Sequence, residues 1–214
     1  MDEVARQARV WDREGLDFDI AFNLSPRQLA QPNLLSSMRA SLTSAGVPLS
    51  RFVVEITESS ALRDFDSTVA LLRQMTAEGF RLAIDDFGVE LSSLSRLLQI
   101  PANLLKVDRS FIMALSTSPD AAVMVEMIIQ LAEKLGMRAH AEGVETDAQR
   151  RFLLENGCQY GQGYLFSKPV PPDEIRDLYF RSAASRIVPI PPEMPTFDLG
   201  SLPDLDDTAL SSDR

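Results

Sequence analysis

The chain has 214 residues, 45% of them hydrophobic, a single cysteine and a formal net charge of −10. It can bury one substantial core but is short for a closed eight-stranded α/β barrel of about 250 residues. The charge argues against a sequence-independent grip on a nucleic-acid polymer, Cys158 has no disulfide partner within the chain, and neither a signal peptide nor a membrane span is evident, so a cytoplasmic setting is expected.

In chain order, residues 2–14 read as a helix with Val4, Ala8 and Trp11 on its apolar face and Gly15 as its stop. The run DFDIAFN, ending at Asn23, reads as a strand. Ser25 and Pro26 then open a helical segment that runs to Gly46 and is broken at Pro32. Strand 51–58 precedes helix 65–78, with Val69, Leu72 and Met75 as its inward stripe. Strand 80–86 leads through a Gly88 loop to the helix SSLSRLLQ, and strand 103–108 leads to helix 120–135. In that last helix Val123, Met124, Met127, Ile128 and Leu131 are expected to form the packing face. Strand 137–142, helix 147–156, strand 158–166 and the helix DEIRDLYF complete the folded part. Residues 187–214 hold five prolines and six acids against one base, with no strand or helix period, and read as a disordered acidic tail.

Six strands alternating with helices predict a parallel sheet, and polar residues recur where these strands end. They include Asn23, Glu55 and Glu58, Asp85 and Asp86, Lys106 and Asp108, Glu142 and Glu145, and Gln162. In a barrel, the C-terminal strand ends meet at one site. Hard divalent cations take oxygen ligands, and a pair of them needs a bridging carboxylate with further acids on either side. The Asp85-Asp86 pair alone could simply cap a helix; together with Asn23, Glu55 and Glu142 it points to a metal centre. Lys106 would supply one fixed positive charge among these acids. His140, two residues before Glu142, falls on the same strand face one layer deeper, and a buried, hydrogen-bonded imidazole is expected there. Cys158 is expected in the core.

The segments NLSPRQL, EITES, DDFG with SSL, LKVDRSF, AEGVET and GCQYGQGYLFSKP, in this order, closely resemble the EAL family of cyclic di-GMP phosphodiesterases, from about Val4 to Phe180. The resemblance implies an EAL-type TIM-like α/β barrel that uses two magnesium or manganese ions to hydrolyse one phosphodiester of cyclic di-GMP, giving linear pGpG. It makes Asn23, Glu55, Asp85, Asp86 and Glu142 metal ligands, with Asp85 bridging. It also implies that Lys106 positions the attacking water, that Glu145 and Gln162 support site and substrate, and that Glu58 tethers the loop after Asp86.

Two features depart from the family pattern. The sequence contains no Glu-Ala-Leu motif, whose glutamate is a family metal ligand, and the strands found correspond to a barrel lacking its first two. Val89, Glu90 and Leu91 stand where the family has Thr-Gly-Tyr. Residues 1–186 are therefore read as a partial EAL domain of about six parallel strands. Three functional readings accompany it: a phosphodiesterase completed by further strands, a non-catalytic module that binds cyclic di-GMP or a protein, and a truncated gene product. The bare sheet edges predict a homodimer, a complementing partner domain, or a cover formed by the first helix.

Overall fold

A computed structural model describes residues 1–89 and 94–183, and within them each apolar run becomes a strand of one parallel sheet. The chain runs α1 (Asp2–Arg13), β1 (Ile20–Asn23), α2 (Pro26–Leu29), α3 (Leu34–Thr43), β2 (Phe52–Thr57), α4 (Glu58–Leu62), α5 (Phe65–Ala77) and β3 (Arg81–Phe87). It continues through α6 (Leu94–Leu97), β4 (Leu104–Val107), α7 (Arg109–Ala114), α8 (Pro119–Lys134), β5 (Arg138–Glu142), α9 (Asp147–Glu155), β6 (Tyr160–Gln162) and α10 (Ile175–Ala183). The tail 187–214, together with Glu90 and Leu91, lies outside the described residues.

The strands lie in sequence order, β1 to β6, every neighbouring pair parallel. Each connection is a crossover through a helix, which keeps the helices on one face of a curled half-barrel. In the central strands β2, β3 and β4 residues alternate between two buried environments, which is why these runs are apolar almost throughout. Phe52, Val54 and Ile56 of β2, Leu82 and Ile84 of β3, and Leu105 and Val107 of β4 pack with Met38, Leu42, Leu72 and Met75 of the helices in the main core. On the opposite, concave face Val53, Ala83 and Leu104 form a separate small apolar cluster. Two residues further along the same strands come Glu55, Asp85 and Lys106, so this cluster floors the polar end of the barrel. Toward the N-terminal ends, Arg81 pairs with Asp19, and Arg51 donates to the main-chain oxygens of Leu16 and Phe18.

The segment after Ser25 splits at Pro32 into α2 and α3 as expected, and Ser25 forms a reciprocal capping pair with Gln28. Other elements differ from expectation. The last strand is shorter than expected, ending at Gln162, because Gly163 takes φ +156° and the chain turns at 163–166. Two short helices, α4 and α7, follow their strands directly. Their caps, Thr57 and Asp108, accept hydrogen bonds from the main-chain N–H groups of Ser60 and Ser110. The packing face of α8 also needs correction: Val123 and Met127 are 54% and 58% exposed. The buried stripe is Ala121, Val125, Ile128, Ile129 and Ala132, rotated around the helix so that its smaller and branched side chains meet the sheet.

Among the described residues β1 and β6 have no strand on their outer sides. The first helix nevertheless meets the region of α10. Trp11 donates through Nε1 to the carbonyl of Pro172 at 3.2 Å and packs on Phe18, whose ring lies 5.8 Å from that of Tyr179 in α10. Trp11 is half-buried by these contacts, while α1 buries Ala5, Gln7 and Ala8. No helix among the described residues is long and apolar enough to cross a membrane.

Candidate metal centre

Parallel pairing places the expected site residues at the same end of the sheet. Asn23 is in register with Glu55, and Glu142 with Gln162, while Lys106 lies opposite His140. Lys106 is the hub: its Nζ is 3.0 Å from Glu55 Oε2, 3.0 Å from Asp85 Oδ1 and 2.6 Å from Glu142 Oε1. It is only 3% exposed, so these carboxylates replace the water it has lost. Burial works to lower its pKa, but the hydrogen bond to Glu142 and the charges of Glu55, Glu142 and Asp85 outweigh it, and the ammonium is held above its ordinary pKa. Burial raises the pKa of the Glu142 carboxyl, with Lys106 pulling the other way.

Asp85 and Asp86 are adjacent in a strand and would ordinarily face opposite sides. Asp86 escapes this by adopting φ +55°, at a register shift between Ile84 and Phe87, and its N–H donates to Asp85 Oδ1 at 3.1 Å. Aspartate is one of the few residues that visit this left-handed region readily. As a result, one carboxylate oxygen from each of Asp85, Asp86 and Glu142 lies within 4.8 Å of the others. The pKa of Asp86 is raised by burial, then by the neighbouring carboxylates of Asp85 and Asp108. The residue pattern puts Asp108 at a strand end but does not assign it to the metal constellation. Its position two residues after Lys106, on the same side of the chain, was the available signal.

The remaining predicted residues surround this cluster. Gln162 donates from Nε2 to Glu142 Oε1 at 2.8 Å. Glu58, 4% exposed, accepts at Oε2 from the N–H of Gly88 at 3.1 Å, tying the start of α4 to the loop after β3. Asn23 is exposed beside Glu55. Glu145 stands at the rim, where it accepts from Arg109 at 3.1 Å. His140 is half-buried, but its Nε2 has no hydrogen-bond partner, contrary to expectation. Burial and the neighbouring Lys106 charge push its pKa down to about 4, so the imidazole is neutral. Cys158 is 3% exposed and burial pushes its thiol up to about 11, as befits an inert core residue.

Three carboxylates, Glu55, Asp85 and Glu142, share Lys106, and Asp86 adds a fourth beside them, which leaves an excess of negative charge. Oxygen donors converging from three strands in this way suit a hard divalent cation, whose charge would remove the repulsion among them.

The fold and site define a class: a parallel α/β half-barrel with an acidic, oxygen-donor centre at the C-terminal ends of its strands. The profile of the EAL domain matches residues 1–169, and the chain belongs to the EAL domain family. It is 42% identical over 176 residues to the bifunctional diguanylate cyclase/cyclic di-GMP phosphodiesterase MucR of Pseudomonas aeruginosa, covering 82% of this chain and 26% of that protein. It is 37% identical to the cyclic di-GMP phosphodiesterase RocR of the same organism, covering 76% of this chain and 42% of that one. Among solved structures, the PaMucR phosphodiesterase in complex with c-di-GMP superposes with a TM-score of 0.78 at 42% identity, over 81% of this chain and 71% of that chain. The manganese/cy-diGMP complex of Klebsiella pneumoniae BlrP1 gives a TM-score of 0.70 at 30% identity, over 77% and 43%. The chain thus spans about a quarter of the length of MucR and less than half of RocR.

Proposed function

We propose that the chain is the metal-binding body of a cyclic di-GMP phosphodiesterase that yields linear pGpG and uses two divalent ions, magnesium or manganese. The observation that carries this reading is the convergence of Asp85, Asp86 and Glu142 oxygens within 4.8 Å beside a buried lysine. The relatives named for this activity, and the manganese complex of one of them, support it. Asn23, Glu55, Asp85, Asp86 and Glu142 would hold the ions. When bound, such ions stabilise the attacking and leaving oxygens of a phosphodiester. Lys106, protonated, would place a positive charge beside a water or phosphate oxygen, and would have an N–H to give it once bound ions draw a carboxylate away from the ammonium. Gln162 orients Glu142 and faces the substrate, Glu58 steadies the loop after Asp86, and Glu145 acts from the rim.

The test is to incubate the purified chain with cyclic di-GMP and manganese, following pGpG and nucleotide binding together. Manganese-dependent binding with very slow hydrolysis or none is expected of this chain, since the Glu-Ala-Leu glutamate is not among these residues and even losing a residue that only steadies a metal ligand typically costs about 10–100-fold. No binding and no turnover would sink the reading. Binding with no pGpG at all would select a second reading, a module that binds the nucleotide without cleaving it.

The bare outer sides of β1 and β6 support pairing with a second copy or a complementing domain. Sedimentation of the chain should show association that rises with concentration; a monomer at every concentration would count against it.

A further inference from the structure

The segment 143–146 joins β5 to α9, with Glu142 just before it and Glu145 within it, and it is held from three directions. On the β6 side, the N–H of Val144 donates to the carbonyl of Gln162 at 3.0 Å and the N–H of Leu165 donates to the carbonyl of Val144 at 3.0 Å. At the start of α9, the buried Gln149 accepts at Oε1 from the N–H groups of Glu145 and Thr146, at 2.8 and 2.9 Å, and donates from Nε2 to the carbonyl of Ile112 at 3.0 Å. The third direction is occupied by Arg109, the first residue of α7.

Gly143 has φ +71°, and a Cβ there would stand 3.0 Å from Arg109 Cδ and 3.1 Å from its Cβ, and would collide with Cγ. The arginine stem therefore lies directly on the peptide that follows Glu142. Its Nη2 donates to Glu145 Oε1 at 3.1 Å and its Nε faces Met113 Sδ at 3.2 Å. The pair is about half exposed, so it adds little to global stability. What distinguishes it is geometry: one side chain spans the segment and touches the backbone next to one site acid and the carboxylate of another.

We propose that Arg109 is a positioning residue for the metal centre, bracing the backbone of Gly143 with its stem and the Glu145 carboxylate with its guanidinium so that Glu142 presents its oxygens correctly. This rests on the metal-centre reading above. The test uses the full chain with Arg109→Ala, Arg109→Lys, Glu145→Ala and the Arg109→Ala/Glu145→Ala double variant. Manganese affinity is read by titration with electron paramagnetic resonance, and amide hydrogen exchange is followed at residues 143–146. Arg109→Ala should weaken manganese binding about 10-fold, as loss of an outer-shell partner does, and accelerate exchange in the segment, with little change in melting temperature. Lysine keeps the stem and charge and should recover most of the affinity. The double variant should be no weaker than the weaker single one, because both singles break the same contact. Unchanged affinity and exchange in Arg109→Ala, or losses that multiply in the double variant, would overturn the proposal. If the wild-type chain takes up no manganese, the metal-centre reading fails separately, and unaltered exchange in Arg109→Ala then overturns the brace.

Discussion

Replacing Lys106 by methionine should destabilise the metal-free protein by about 3–5 kcal/mol, the usual cost of removing one partner from a buried charge cluster. Methionine keeps most of the side-chain volume, so the loss reports charge rather than a cavity. Glu55, Asp85 and Glu142 each have an oxygen within 3.0 Å of the Lys106 ammonium, and without it they face one another in a confined space. For a domain of this size the melting temperature should fall by on the order of 10 °C in EDTA. Manganese should restore more stability to the variant than to the wild type, because the cation takes over the neutralising role. Melting in EDTA within a degree of the wild type would show that the cluster does not depend on Lys106.

Asp85→Asn should do the reverse, sparing the fold and removing the metal. Asp85 belongs both to the carboxylate group that converges within 4.8 Å and to the ring around Lys106. An amide keeps the shape and a neutral acceptor but loses the charge that a hard cation needs. Manganese affinity should fall by on the order of 100-fold, beyond the range typical of outer-shell changes, and manganese-dependent binding of cyclic di-GMP should disappear with it. Stability in EDTA should stay near the wild-type value, since Lys106 keeps Glu55 and Glu142 and one source of repulsion is gone. Retained manganese affinity in Asp85→Asn would place the ion elsewhere.

Much of this molecule could be read before any coordinates. The alternation of apolar runs with capped helical segments led to six parallel strands because the central runs are buried on both faces and each connection is long enough for a crossover. Acids at successive strand ends had to meet once the sheet curled, so the positions of Asn23, Glu55, Asp85, Lys106, Glu142 and Gln162 follow from pairing and period alone.

The buried face of α8 differs from the expected one for a physical reason. Apolar residues occur almost all round that helix, so hydrophobicity alone could not choose between Val123 with Met127 and Val125 with Ile129. Neither could a strand's period of two reveal that Asp86 turns back to join Asp85, since that depends on one left-handed residue at a register shift. The missing hydrogen bond at His140 Nε2 and the place of Asp108 beside Asp86 depend on which side chains adjoin across strands. So does the course of Arg109 over Gly143, between residues 34 positions apart. The parallel strands and the acids at their ends were legible in the residue pattern, because burial and period are local properties. Which of those acids share the lysine, and what braces them, was decided only by the tertiary structure, because those contacts join different strands and loops at distances no local pattern encodes.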